Sequence, residues 1–150
     1  MFGYDVTIYE ANEKAGGVLT YGIVPSRLPQ EVVDFDIATI EKLGVTFKFN
    51  ETIDAARLEE LKAEYDAVFV GTGLWKSKVI DIPGKDLDGV VSAIDFLKDA
   101  RLNKENMTLG DTVLVIGGGD VAMDCVTTAK QLGAKATIVY RRTIEEAPAD

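Results

Sequence analysis

Apolar and polar positions along the chain alternate between the period of a strand and the period of a helix. A β-branched run at 5–9 predicts a strand, and the pair Gly16-Gly17 after it predicts a loop. From Pro29 to Leu43 the apolar residues recur every three or four positions, which predicts an amphipathic helix. The same patterns then predict a strand at 45–49, a helix at 54–65 and a buried strand at 67–70 that ends at Gly71-Thr72-Gly73.

Residues 74–91 have little periodicity and several turn-forming residues, so they predict a connection between two units. Ser92 and Asp95 have the spacing of a capping box, which predicts a helix from there to about residue 102, followed by a polar linker. The chain then continues with an apolar strand at 112–116, a helix at 120–132 and a second apolar strand at 136–140. Strand, helix and strand in about thirty residues predict one βαβ unit at 112–140.

The turn between the first strand and the helix of this βαβ unit has the pattern G-x-G-x-x-A. Gly117 permits a tight turn, Gly119 lets the backbone approach a diphosphate, and Ala122 lets the helix lie close to the strand. The helix start offers free N–H groups and a positive partial charge to an anion. The pattern therefore predicts a dinucleotide-binding turn made of Gly117, Gly118, Gly119, Asp120, Val121 and Ala122, in an α/β fold built from Rossmann-like units.

The residues after the second strand of the βαβ unit indicate which dinucleotide binds. An NAD-specific site places an acid at the end of this strand, whereas here the strand runs directly into Arg141-Arg142. Two guanidinium groups favour a 2′-phosphate, so we predict NADPH rather than NADH, the alternative being an Arg pair that is merely solvated at a strand end. The first predicted strand does end in an acid, Glu10, as expected beside an adenosine ribose.

Composition excludes several other classes of function. The 150-residue chain is 47% hydrophobic and has a formal net charge of −9, which disfavours nucleic acid and anionic membrane surfaces as partners. There is no histidine, so a zinc site or a hydrolytic triad is a poor hypothesis. The one cysteine, Cys125, cannot form a redox pair within the chain, and its position on an apolar helix face predicts a buried side chain. Without an export signal at Met1–Glu10, we expect a cytoplasmic protein.

Several motifs in series resemble one family, the FAD-dependent and NAD(P)H-dependent oxidoreductases that include the glutamate synthase small subunit and the flavin portion of dihydropyrimidine dehydrogenase. The resemblance covers essentially the whole chain. The matching stretches are EANEKAGGVL at 10–19, YGI at 21–23, RLP at 27–29, YDAVFVGTG at 65–73, IPGKDLDGV at 82–90, VIGGGDVAMD at 115–124 and VYRRTIEEAP at 139–148.

The resemblance implies that one nucleotide domain holds FAD, that a second holds NAD(P)H, and that hydride passes between the two cofactors, with electrons leaving to an iron–sulfur domain or subunit. By matching position, Glu10 binds the FAD ribose, Gly16 and Gly17 approach the FAD diphosphate, and Gly71, Thr72 and Gly73 form a second flavin-side turn. Gly117, Gly119, Ala122, Arg141 and Arg142 serve NADPH. No side chain is expected to act as a catalytic acid or base, and no metal ligand is expected.

The family pattern also includes pieces that this chain lacks. Family members have a first strand and a glycine turn for FAD before the position of residue 1, and they continue beyond residue 150. We therefore expect an internal piece of a longer protein, with a partial FAD-binding domain at 1–91 and the start of an NAD(P)H-binding domain at 92–150. The alternatives left open are a dihydropyrimidine-dehydrogenase-like flavin subunit, a module that binds NADPH without turnover, a remnant that binds neither nucleotide, and assembly into an oligomer.

Overall fold

The computed structural model describes residues 3–78 and 80–149, and these residues form two compact units. The first unit contains the described residues up to Thr20 together with Leu28–Gly73. The second contains Tyr21–Arg27 and the described residues from Leu74 onward, so a seven-residue segment leaves the first unit and packs with the second. Within both units helices and strands alternate, as predicted for an α/β fold.

The first unit is built on two parallel strands. Strand β1 (Thr7–Glu10) pairs with β2 (Thr46–Phe49), with Glu10 opposite Phe49. Helix α1 (Val18–Tyr21) begins in this unit, and α2 (Gln30–Lys42) crosses between the strands and buries Val33. Helix α3 (Ala55–Glu64) follows β2, is capped by Asp54 and buries Leu61. The predicted strands and helices up to residue 65 are confirmed within a few residues, and the single turn of α1 was not predicted.

The predicted buried strand at 67–70 is wrong. These residues are neither strand nor helix, and Phe69 is 93% exposed. A strand depends on backbone hydrogen bonds to a neighbour, and no described strand pairs with this run. The apolar run alone was therefore not sufficient to form a strand.

The second unit contains the predicted βαβ arrangement. Helix α4 (Ala93–Leu102) begins after the Ser92 cap, and β3 (Thr112–Ile116), α5 (Asp120–Gln131) and β4 (Lys135–Val139) follow in order. Strands β3 and β4 are parallel in the register Thr112 to Lys135, and a short 3-10 turn at Ile144–Glu146 comes after them. The capping box of α4 is only half formed, because the Asp95 carboxylate accepts from the Ser92 hydroxyl at 2.6 Å rather than from its backbone N–H.

The core of the second unit lies between α4, α5 and one face of β3. Phe96 and Leu97 of α4 pack with Cys125 and Ala129 of α5, and alternate residues of β3 cover this cluster. The other face of the strand pair is open, with Leu114 65% and Ile116 54% exposed. The sequence period of two in β3 thus corresponds to one packed and one open face. Among the described residues, no helix has both the length and the apolar character required to cross a membrane.

Candidate dinucleotide-binding site

The glycine turn of the second unit has the backbone geometry that its sequence requires. Gly117 has φ +145°, a region that residues with a side chain rarely adopt. A Cβ built on Gly117 would lie 3.3 Å from the Cβ of Ala122, which is closer than an ordinary van der Waals contact. The N–H of Gly117 donates to the carbonyl of Val139 at 3.0 Å, which ties the turn to β4. Strand, turn and helix are therefore closely packed at this point.

The start of α5 has no side-chain cap. Gly119 occupies the N-cap position and has no side chain that could accept from the first turn of the helix, whereas Asp54 and Ser92 cap α3 and α4. The first N–H groups of a helix have no partner within the helix, and here they stay available to an anion. The space beside Gly119 is open, since an added Cβ would have only the Cγ of Pro148 nearby, at 3.9 Å. This end of α5 can accept a diphosphate.

The outer side of the turn is supported by residues that follow β4. An added Cβ at Gly118 would lie 2.7 to 2.9 Å from three ring atoms of Tyr140, so the glycine rests directly on the ring. The N–H of Ala149 donates to the carbonyl of Gly118 at 3.2 Å, and the Tyr140 hydroxyl donates to the carbonyl of Glu146 at 3.2 Å. Gly118 therefore needs to be glycine for packing, which is a role that the turn pattern does not specify.

Arg141 and Arg142 come directly after β4 and are both exposed. Within the described part of the chain, neither guanidinium forms a salt bridge with a carboxylate. Because they follow the strand next to β3, both lie at the same edge of the two-stranded sheet as the glycine turn. Their charges are available to a phosphate group there.

The first unit brings Glu10 and the pair Gly16-Gly17 into one loop region after β1. The Glu10 Oε1 accepts from the backbone N–H of Asn12 at 2.8 Å and from its Nδ2 at 2.7 Å, which fixes the carboxylate at the strand end. Gly16 has φ +106°, and a Cβ there would lie 2.3 Å from the Thr20 Oγ1. Gly17 has φ +53° and open space where a Cβ would be. A nucleotide can thus approach the backbone at Gly17, and the fixed carboxylate can accept from ribose hydroxyls.

Gly71, Thr72 and Gly73 lie in the exposed segment that the sequence predicted to follow a strand. Gly73 has φ +73°, whereas Gly71 is crowded by the Phe69 ring, 2.8 Å from a built Cβ. With no strand before them and no helix directly after them, these residues do not form a strand–turn–helix arrangement. They lie in the same unit as Glu10, but they are not part of a turn that connects two regular elements.

Cys125 is buried on the face of α5 that packs against α4, at 4% exposure, as its position predicted. Burial in this apolar cluster, reinforced by the negative charge of Asp124, raises the pKa of the Cys125 thiol to about 11. A thiol with a raised pKa is a poor nucleophile at neutral pH. Cys125 therefore contributes packing to the helix that carries the turn.

Comparison with known families identifies the class of protein to which this arrangement belongs. Residues 2–148 match the pyridine nucleotide-disulphide oxidoreductase family. The chain belongs to this family, and its α/β units are the Rossmann-like units of that fold.

Several individual proteins are similar to nearly the whole of this chain. The chain is 47% identical over 149 residues to the NAD-dependent dihydropyrimidine dehydrogenase subunit PreT of Escherichia coli (strain K12), covering 98% of this chain and 36% of PreT. It is 40% identical to the NADP(+)-dependent formate dehydrogenase subunit beta of Moorella thermoacetica, covering 98% of this chain and 21% of that subunit. It is 36% identical to the glutamate synthase [NADPH] small chain of Azospirillum brasilense, covering 97% of this chain and 33% of that chain. The chain thus spans about a third or less of these relatives.

Solved structures agree on the fold. FprA from Mycobacterium tuberculosis superimposes with a TM-score of 0.75 at 23% identity, over 97% of this chain and 38% of FprA. A 2-naphthoyl-CoA reductase in complex with 2-naphthoyl-CoA superimposes with a TM-score of 0.74 at 26% identity, over 97% of this chain and 21% of that one. The family match over residues 2–148 and the identities to PreT and to the glutamate synthase small chain confirm the family resemblance stated from the sequence motifs.

Two features near the turn were not found by sequence reasoning. Tyr140 supports Gly118, although its position at the end of an apolar strand indicated only a strand residue. Arg27 reaches α5 from 93 residues before the first residue of that helix, and its Nε lies 2.8 Å from the Asp124 Oδ1. The only sequence signal for Arg27 was its place in the RLP stretch, which carries no information about its contacts.

Proposed function

We propose that this chain is the nucleotide-binding part of an oxidoreductase that passes hydride from NADPH to FAD, with electrons going on to an iron–sulfur partner, as in a glutamate synthase small subunit. The observation that supports it best is the uncapped start of α5, behind a glycine turn that is tied to both strands. Family membership supports the use of a pyridine nucleotide and a flavin in general. A cytoplasmic location belongs to this proposal.

In the second unit, the residues would bind and orient NADPH. The backbone of Gly117, Gly118 and Gly119 and the first N–H groups of Asp120 and Val121 would hold the diphosphate, and Ala122 would keep the helix close to the strand. Arg141 and Arg142 would bind the 2′-phosphate through their exposed guanidinium groups.

In the first unit, Glu10 would accept from the FAD ribose hydroxyls, and Gly16 and Gly17 would let the diphosphate approach the backbone. Gly71, Thr72 and Gly73 would form a further flavin-side contact. The cofactors supply the hydride chemistry when bound, and the chain supplies orientation and charge, so no catalytic acid or base is assigned.

The choice of NADPH over NADH rests on the Arg141-Arg142 pair and on the lack of an acid at that strand end. Relatives carry both kinds of name, since PreT is described as NAD-dependent and the formate dehydrogenase subunit as NADP(+)-dependent. We expect tighter binding of NADPH than of NADH, and we expect Arg141→Ala with Arg142→Ala to remove most of the difference. Isothermal titration with both nucleotides measures it. Equal affinities in the unmodified protein would contradict the preference.

A second experiment separates the enzyme from the alternatives. A preparation of the full-length protein that is yellow, with flavin absorbance that bleaches anaerobically when NADPH is added, would support the enzyme. A colourless protein that still binds NADPH would favour a module without turnover, and one that gives no heat with either nucleotide would favour a structural remnant. A dihydropyrimidine-dehydrogenase-like flavin subunit is the alternative enzyme, favoured by the 47% identity to PreT. Assays with an iron–sulfur protein from each system as electron acceptor distinguish the two.

A further inference from the structure

Arg27 belongs to the short segment that packs with the second unit, and its guanidinium reaches two carboxylates of α5. Its Nε lies 2.8 Å from the Asp124 Oδ1, and its Nη2 lies 3.5 Å from the Asp120 Oδ1. Asp120 is the first residue of α5 and directly follows Gly119, while Asp124 lies one helical turn further on. A cation from a distant part of the sequence is therefore placed beside the start of the helix that carries the glycine turn.

The negative charge of the two carboxylates has two opposing effects, because it stabilises the helix and repels a bound anion. Negative charge in the first turn stabilises a helix through its dipole, but it repels a diphosphate that approaches the same N–H groups. The Asp124 side chain is only 13% exposed, so water screens its charge poorly, whereas the Asp120 side chain is 52% exposed. Without a counter-charge, this end of α5 would be less attractive to an anionic ligand.

Attachment of the segment does not depend on Arg27 alone. Tyr21 is 1% exposed and its ring contacts the Trp75 ring at 6.4 Å between centroids. The Arg101 guanidinium also donates to the carbonyl of Ile23. Because these contacts hold the segment against the second unit, loss of the Arg27 charge is expected to change the electrostatics of the turn more than the fold.

We propose that Arg27 is a positioning residue for the dinucleotide turn, which cancels the charge of Asp120 and Asp124 so that a diphosphate can bind at the start of α5. The role rests on the proposed function, since it requires that the turn binds a dinucleotide. Arg27 acts through the two carboxylates and contacts no reacting atom, so it influences affinity rather than chemistry.

The test is a charge-rescue experiment on NADPH affinity, measured by titration. Arg27→Gln is expected to weaken binding by about tenfold or more, which corresponds to about 1.4 kcal/mol per factor of ten. Arg27→Lys keeps the charge and is expected to retain most of the affinity. Adding Asp124→Asn to Arg27→Gln is expected to recover a large part of the loss, because the less exposed of the two repelling charges is gone. Asp124→Asn alone is expected to bind at least as tightly as the unmodified protein.

The matched control is Arg57→Gln. Arg57 also pairs with two carboxylates on a helix, Glu60 and Glu64 at 2.8 Å each, but it belongs to the first unit. This variant is expected to leave NADPH affinity unchanged, which separates a specific effect at the turn from the general loss of a surface cation.

The outcomes distinguish the two proposals. If the unmodified protein binds no dinucleotide, both the proposed function and the role of Arg27 are overturned. If it binds and Arg27→Gln binds equally well, only the role of Arg27 fails. A loss that Asp124→Asn does not restore would show that Arg27 merely holds the segment in place. If Arg27→Gln does not fold, Asp124→Asn alone still decides, since weaker binding by that variant would contradict charge cancellation.

Discussion

Two runs of this chain have similar sequences and different structures. AVFV at 67–70 is followed by Gly71-Thr72-Gly73, and TVLVI at 112–116 is followed by Gly117-Gly118-Gly119. The second run is strand β3, paired with β4 and covered on one face by α4 and α5. The first is exposed and unpaired among the described residues. In this chain, an apolar run followed by glycines forms a strand and a tight turn where a neighbouring strand and a covering helix are present.

The largest expected change in stability concerns the glycine turn after β3. Gly118→Ala would place a Cβ within 2.9 Å of the Tyr140 ring, so we expect a loss of about 2–3 kcal/mol in unfolding free energy, together with weaker NADPH binding. Urea denaturation measures the first quantity. Adding Tyr140→Ala removes the clash and is expected to make the two losses less than additive.

Gly110→Ala is the control for this substitution, because Gly110 precedes β3, has no positive φ, and has nothing within 4 Å of a built Cβ. A change of less than about 0.5 kcal/mol is expected there. Equal losses for Gly110→Ala and Gly118→Ala would show that the Tyr140 contact has no special role.

The next largest effect is a pH dependence of stability caused by Cys125, which lies in the core that covers one face of β3. The pKa of Cys125 is raised from 9.0 to about 11 in the folded chain, so the folded state keeps its proton at a pH where the unfolded state loses it. The stability from this neutral thiol is fully present below pH 9 and is lost as the pH rises through 11. We expect unmodified protein to lose about 2 kcal/mol more than Cys125→Ala between pH 8 and pH 11, measured by denaturation at each pH. Parallel curves for the two proteins would mean that the thiol is solvated.

A smaller effect compares the two similar runs directly. Val115→Ser removes an apolar contact with the cluster of α4 and α5, and we expect a loss of about 1–2 kcal/mol. Phe69 is 93% exposed, and Phe69→Ser is expected to change stability by less than about 0.5 kcal/mol. Both values come from chemical denaturation under the same conditions. If the change at Phe69 costs as much as the change at Val115, the first run is buried in solution and the contrast is wrong.

The smallest expected effect concerns the N-caps of α3 in the first unit and of α4 in the second. The Asp54 carboxylate accepts from the Arg57 N–H at 2.8 Å, while the Ser92 hydroxyl accepts from the Asp95 N–H at a longer 3.3 Å. We expect Asp54→Ala to cost about 1 kcal/mol and Ser92→Ala about half as much. Thermal unfolding monitored by circular dichroism measures both. A larger loss for Ser92→Ala than for Asp54→Ala would show that hydrogen-bond length does not predict which cap stabilises its helix more.

Local sequence patterns determined most of the elements of this protein. The period of apolar residues predicted α2, α3 and α5, because one buried face of a helix is visible within a short window of sequence. The glycine and alanine pattern at 117–122 predicted a tight turn against a helix, because small residues there meet a steric requirement that any such turn has. The ordered motifs also predicted the family, which the match over residues 2–148 confirms.

The tertiary structure decided what depends on distant partners. It left 67–70 unpaired, because strand formation depends on a neighbour that a local pattern does not encode. It placed Tyr140 beneath Gly118 and brought Arg27 to α5 across more than 90 residues of sequence. Contacts of this kind follow from how the segments pack, and neither residue type nor spacing along the chain contains that information.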